Sequence, residues 1–195
     1  MELVARLRRH ARDHGLPDRV EYVPDPVAWT EVPESLRVLG RQRDRWHRGL
    51  ADVLWRHRAA IGRPRYGTLG LVALPYFLLA ELIAPVVEAI GLVGLVIGLA
   101  TGTLSWPFAV LFVLAAYGLG LIVTVFALVL DEWTYRGYGG LRERLLLFGF
   151  ALLEPLGYRQ LTTVWRLRGL VKYLRGNTEW GVMTRTGFAV GPTQG

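Results

Sequence analysis

Residues 89–130 run AIGLVGLVIGLATGTLSWPFAVLFVLAAYGLGLIVTVFALVL, forty-two positions without an Asp, Glu, Lys, Arg or His. A helix needs roughly 20 apolar residues to cross a bilayer's hydrocarbon core, so this stretch exceeds one crossing. A buried helix of a soluble domain is the competing account, and an uncharged run of this length argues against it. Working outward, the charge pattern gives the same answer. Residues 66–130 carry only Glu81 and Glu88, whereas residues 1–65 hold fourteen arginines and residues 131–195 hold nine basic side chains. An integral membrane protein follows.

The 195 residues are 52% hydrophobic yet include 23 basic and 16 acidic side chains, for a formal net charge of +7. Basic residues that flank apolar spans mark the cytoplasmic side and meet anionic headgroups, so the bilayer accounts for the charge and no nucleic-acid partner is expected. Both Arg-rich ends then lie in the cytoplasm, which requires an even number of crossings; two are expected. The basic residues are arginines throughout, with Lys172 as the single lysine. The absence of cysteine excludes disulfides, thiolate metal sites and cysteine nucleophiles. Met1–His14 is charged and has no apolar core of the signal-peptide kind.

The expected fold class is a mainly α membrane protein: a short cytoplasmic α(β) segment, an amphipathic interface helix, at least two transmembrane helices and C-terminal amphipathic helices. Four regions follow: 1–32, 33–65, 66–130 and 131–195. Met1–His14 has helical spacing at Leu3, Val4, Leu7 and Ala11, and Gly15 and Pro17 stop it. Arg19–Val23 alternates as a short strand does before Pro24-Asp25-Pro26. A long helix is expected from Pro33 to Ile61. Pro33 would sit in its first turn with Thr30 or nearby acids serving the exposed N–H groups. Leu36, Leu39, Trp46, Leu50, Val53 and Leu54 would form its apolar stripe, with Asp44–Arg48 and Asp52–Arg56 as i,i+4 pairs.

The next apolar block, Tyr66 to Thr103, is too long for one simple crossing and short for two. One full span near Gly67–Ile90, perturbed by Pro75 and Pro85 and followed by a bent or re-entrant piece, is therefore expected. A second span from Ser105 to Leu130 has Trp106 at one interface and Trp133 and Tyr135 at the other. Leu145–Leu156 is too short for a span, Tyr158–Arg175 has the pattern of a basic amphipathic helix, and a loose tail follows.

Chemistry concentrates on the long helix. Positions 42, 45, 46 and 49 share a face. The Arg45 guanidinium and the Gln42 amide can jointly hydrogen-bond a diphosphate, and Trp46 offers a flat platform for the C–H face of a sugar. Gly49 leaves part of that face clear. The plainer account of these residues is a packed tryptophan on a helix whose arginines meet lipid headgroups.

In its setting the motif resembles the membrane-bound, processive family 2 glycosyltransferases, the cellulose, hyaluronan and poly-N-acetylglucosamine synthases. These carry a Gln-x-x-Arg-Trp motif on an interface helix ahead of transmembrane helices. Gln42, Arg45 and Trp46 match it. Thr30-Glu31-Val32-Pro33 is similar to the Thr-Glu-x-Pro stretch that often precedes the motif, and Tyr158-Arg159-Gln160 and Glu179-Trp180-Gly181-Val182-Met183 look like bacterial members. The resemblance implies that Gln42 and Arg45 contact the donor diphosphate and that Trp46 stacks on the acceptor sugar. It implies inverting transfer from a nucleotide sugar to a growing polysaccharide, with export through the membrane. The bilayer, the nucleotide sugar and the polysaccharide are then the partners, and the bacterial inner membrane, crossed more than once with both termini cytoplasmic, is the location.

Departures limit what this chain can do alone. No Asp-x-Asp occurs in its sequence, and no strand–helix alternation precedes the motif. In the family, the catalytic acidic dipeptide comes just before a helix resembling Met1–Leu7. The general base is therefore expected upstream of Met1, with Met1 an internal methionine of a longer enzyme, and this chain is expected to be inactive by itself. The resemblance implies no cofactor held by this chain, and Mg2+ or Mn2+ with the nucleotide-sugar donor in the full enzyme. The alternative is a non-enzymatic channel or anchor subunit that partners a separate catalytic chain.

Glu81 and Glu88 lie seven residues apart, on one side of a helix. Intramembrane carboxylates are functional candidates by default, and the roles open to them are lining a polysaccharide channel or contacting the rest of the bundle; for Glu88, near the span's end, a plain interfacial position is the alternative. Glu154 fits a helix boundary. His10, His14, His47 and His57 form no metal-ligand spacing, and no metal site is expected. Tyr66, Tyr76, Tyr117, Tyr135 and Tyr138 suit interface and packing positions.

Overall fold

The structure, a computed structural model, describes residues 1–21, 32–135 and 140–177. Among them every regular element is helical. The helices are α1 (Glu2–Asp13), α2 (Leu36–Arg56), α3 (Leu69–Ala100), α4 (Trp106–Tyr135), α5 (Leu141–Leu153) and α6 (Tyr158–Leu174). Two 3₁₀ turns, Arg58–Ala60 and Pro64–Tyr66, stand between α2 and α3. The protein is mainly α, and α3 and the Trp106–Asp131 part of α4 are long and apolar enough to cross a membrane.

The strand expected at Arg19–Val23 is not formed in its described part: residues 19–21 carry no regular structure, and the remainder falls outside the described residues. Asp18 explains the local course of the chain. Its carboxylate accepts from Arg12 Nε at 2.6 Å and from Arg8 Nη2 at 3.3 Å, which turns the chain back against α1. The Thr-Glu of the Thr-Glu-x-Pro stretch lies outside the described residues.

The long helix starts later and stops earlier than Pro33–Ile61. Ser35 caps α2, its Oγ accepting from the Val38 N–H at 3.3 Å, so Pro33 precedes the helix instead of occupying its first turn. After Arg56 the chain tightens into the 3₁₀ turn Arg58–Ala60. The Gly62 N–H then donates to the Gly70 carbonyl at 2.8 Å, with Gly62 at φ +73°. A Cβ on Gly70 would lie 2.6 Å from the Arg63 carbonyl oxygen and 2.7 Å from that of Ala60, so only glycine lets this turn fold over the start of α3.

Contacts divide the chain into two compact units, one of Met1–Leu79 with the chain from Arg168 onward, the other of Ala80–Leu167. In the first, α1 is bound to the turn ahead of α3. Tyr66 Oη donates to Asp13 Oδ1 at 3.1 Å, Arg8 to Thr68 Oγ1 at 3.0 Å, and Arg9 to the Arg56 carbonyl at 3.2 Å. Glu2 meets the buried His57 ring at 3.1 Å. Ala5, Ala51, Leu54, Ala60, Tyr66, Leu69 and Leu74 are buried there. Leu74 is the most enclosed large side chain, and full burial of a leucine stabilises by about 1.5–3 kcal/mol.

The span expected near Gly67–Ile90 is followed by no re-entrant piece: α3 runs without a break to Ala100. Each proline removes an N–H and crowds the carbonyl four residues back. The helix absorbs this through wide π turns at Leu69–Ala73 and Phe77–Ile83, where an extra residue per turn is accommodated. Thr101–Ser105 then reverses the chain in the second unit. Gly102 has φ +69°, and the Leu104 N–H and Thr103 Oγ1 both donate to the Gly98 carbonyl, at 2.9 and 3.1 Å. The Leu104 side chain occupies the space a Cβ on Gly98 would need.

The most apolar window of α4 is 0% buried and that of α3 11% buried. A core helix of a soluble protein would be largely covered, so this exposure favours lipid as the surrounding medium. Tyr117 of α4 donates to the Leu152 carbonyl of α5 at 2.7 Å, the packing role expected of it. Glu154 caps α5 and is exposed, as a boundary residue should be.

Candidate functional site

On α2 the buried residues are Gly40, Asp44, His47, Ala51, Val53 and Leu54, most of them in a helical stripe with steps of four and three. Val53 and Leu54 of the expected stripe are buried, whereas Leu36 and Trp46 are exposed and Asp44 is among the most enclosed side chains. The cause is a partner helix that offers the Lys172 ammonium to Asp44, so a charged residue takes a place the hydrophobic pattern assigns to solvent.

Gln42, Trp46 and Gly49 lie about 140–160° around the helix from Asp44, at about 100° per residue, and Arg45 about 100° from it. The motif face is therefore turned away from the buried stripe. Gln42 and Arg45 are half-buried, and Trp46 is 58% exposed. A Cβ on Gly49 would meet nothing within 4 Å. The Arg43 guanidinium stacks over the Trp46 ring at 5.0 Å, restraining the indole and adding positive charge beside it. The three predicted residues thus share one accessible, cationic face with an aromatic platform. Such a face can hydrogen-bond an anion and pack against a flat apolar surface.

Behind that face, the Asp44 Oδ2 accepts from Lys172 Nζ at 2.9 Å and meets Arg48 Nη2 at 3.5 Å. Asp44 Oδ1 is enclosed and receives no hydrogen bond from the described residues. The backbones approach closely here: a Cβ on Gly169 would lie 2.5 Å from the Asp44 carbonyl oxygen. Arg48 also donates to the Asn177 carbonyl at 3.2 Å, just beyond the end of α6.

In the second unit the two intramembrane carboxylates are ion-paired. Arg166 Nη2 donates to Glu81 at 3.1 Å, Arg159 Nε donates to Glu88 at 3.2 Å, and Thr163 Oγ1 donates to the other Glu88 oxygen at 3.2 Å. Both carboxylates thus make contacts within the bundle. The pairing of Arg159, Thr163 and Arg166 with the glutamates was not read from the sequence, although their i, i+4, i+7 spacing mirrors the seven-residue separation of the glutamates.

Two further groups have displaced proton affinities. The hydrogen bond from Arg12 holds the Asp18 carboxyl below the usual carboxylate range. Burial, reinforced by the nearby Asp52 carboxylate, raises the Tyr173 phenol above its ordinary value. Among the described residues no group of three His, Asp or Glu is placed to hold a metal ion. The donor set for Mg2+ or Mn2+ is thus not found among them. His10 and His14 stack ring on ring at 4.0 Å on an exposed helix face, whereas His47 and His57 are buried.

No protein-family model matches the chain, and no solved structure matches it. The chain is similar to a protein of Rhizobium sp. (strain N33) named N-acetylglucosaminyltransferase, with 36% identity over 91 residues. The match covers 46% of this chain and 19% of that protein, so the chain spans about a fifth of the length of the curated relative it matches.

Proposed function

We propose that the chain is the acceptor-side and membrane part of a family 2, processive, inverting glycosyltransferase. The observation that carries this reading is the placement of Gln42, Arg45 and Trp46 on the accessible face of α2, ahead of two apolar helices. The partial similarity to a protein named N-acetylglucosaminyltransferase supports a glycosyltransferase-related role. In this reading Arg45 and Gln42 hydrogen-bond the diphosphate of a nucleotide sugar and stabilise it as negative charge develops on the leaving group. Trp46 stacks on the acceptor sugar, and the polymer leaves along the membrane helices. Donor-domain groups, including the general base and any divalent metal, act from outside these 195 residues, so this chain alone turns over no substrate. The setting is a bacterial inner membrane, with both ends on the cytoplasmic side.

UDP titration of the detergent-solubilised chain tests the diphosphate site without requiring turnover. Saturable UDP binding that is lost in Arg45→Ala, with helicity retained, is the expected result. Equal binding by wild type and Arg45→Ala would sink the assignment. Co-purification then asks whether a separate chain supplies the donor half, as the subunit alternative requires.

A further inference from the structure

We propose that Lys172 is a positioning residue: through Asp44 it fixes the rotation of α2 and so aims Gln42, Arg45 and Trp46. This rests on the diphosphate-site reading above for its functional consequence, but not for its geometry. Four observations converge on the pair.

Among 23 basic residues Lys172 is the single lysine, and it occupies the one place where a basic side chain of α6 meets a buried carboxylate of α2. The helices approach closely at this point, with Gly169 against the Asp44 backbone, and an ammonium brings a compact point charge where a guanidinium would bring a broader planar one.

The α2 face that is buried offers little shape to set its own register. Gly40, Asp44, His47 and Ala51 give it small or polar side chains over three turns, with Val53 and Leu54 as the larger apolar members near its C-terminal end. A smooth face can rotate with little loss of contact. A buried ion pair restricts it to one angle, because any other leaves a charge without a partner.

The carboxylate depends on this pairing. Its Oδ1 is enclosed without a donor among the described residues, so Lys172 and Arg48 at Oδ2 carry its compensation. Arg48 is itself bound to the Asn177 carbonyl, so both cations tie α2 to the last turn of α6 and its exit.

Finally, the pair and the motif are on opposite sides of one rigid helix. A rotation of α2 allowed by loss of the pair therefore moves Trp46 and Arg45 by the same angle, and misplacement of a binding group by about 1 Å is costly to the chemistry it serves.

The test uses the full chain in lipid nanodiscs, with nitroxides on Gly49→Cys and Leu174→Cys in the naturally cysteine-free background. Pulsed electron spin resonance should give one narrow distance distribution in wild type and a distribution at least about twofold broader in Lys172→Met. UDP affinity, measured on the same samples without labels, should fall about tenfold in Lys172→Met while far-ultraviolet circular dichroism is unchanged. If Lys172→Met fails to fold, Lys172→Arg keeps the charge and is expected to show the same broadening through size alone. An unchanged distribution in both variants overturns the clamp, and a broadened distribution with unchanged UDP affinity overturns the aiming role. If wild type binds no UDP, the glycosyltransferase reading fails and the aiming role with it, while the distance measurement still decides the clamp.

Discussion

The Glu81 carboxylate meets the Arg166 guanidinium at 3.1 Å, seven residues along each helix from the point where Glu88 meets Arg159 at 3.2 Å. The two contacts run in opposite chain directions, so the N-terminal half of α6 and the middle of α3 lie antiparallel with a single register. Each carboxylate and guanidinium is costly in an apolar medium unless partnered. Arg166→Met should therefore destabilise the protein by about 1–3 kcal/mol. The double variant Glu81→Gln with Arg166→Met should lose less than the sum of the single losses. Denaturation of the solubilised protein with increasing sodium dodecyl sulfate measures both quantities, and additive losses would count against the pairing.

Arg45→Lys is the sharper probe of the motif. A lysine keeps the charge and most of the apolar stem but loses the planar fork that grips a diphosphate at two points. UDP affinity should drop at least about tenfold, close to the loss in Arg45→Ala. Near-wild-type affinity in Arg45→Lys would mean that charge alone is recognised.

Gly70→Ala should destabilise the first unit by about 1–3 kcal/mol, because the added methyl meets two backbone carbonyls that cannot move independently. Gly94→Ala is the control, since a Cβ there meets nothing within 4 Å. Equal melting temperatures for the two variants would show that the Ala60–Gly70 turn is looser than its geometry.

The hydrophobic spans were legible in the sequence because forty-two uncharged positions leave one solution in a bilayer. The motif face was legible for a similar reason, as residues 42, 45, 46 and 49 share a side of any helix. The buried side of α2 was not. Asp44 and Arg48 satisfy the i,i+4 rule of an exposed helix, and nothing nearby in the chain announces that Lys172, 128 residues on, closes over the aspartate. The length of the 66–103 block misled for a simple reason: it exceeds one crossing, but a single helix can continue past the hydrocarbon core and take in Pro75 and Pro85 by widening its turns.

Acid should release the loop after α1. Because Arg12 and Arg8 depress the Asp18 pKa in the folded protein, the stabilisation is complete above the unfolded value of about 3.9 and is lost as pH falls through the lower folded value. Proton titration of the Asp18 side chain by nuclear magnetic resonance should give a midpoint below about 3.9, and Arg12→Gln should move it upward. An unchanged midpoint in Arg12→Gln would assign the depression elsewhere.

The Tyr173 phenol sets an opposite limit. Its folded pKa is raised by burial, so stability is retained below the unfolded value of about 10 and declines as pH rises from there through the folded value. Tyr173→Phe should flatten that alkaline decline in thermal melts, and a decline of equal slope in Tyr173→Phe would show that another group causes it.

The lone lysine has a chemical corollary. Apart from the chain's α-amine, Lys172 is the single primary amine in the sequence, and in the closed pair its nitrogen is engaged by Asp44 in a hydrogen bond that hinders attack on a reagent. Acylating reagents and lysine-selective proteases therefore address one site in the unaltered protein, and their rates record how often the Asp44 contact opens. The native chain carries its own reporter of α2 orientation, readable by mass spectrometry in intact membranes.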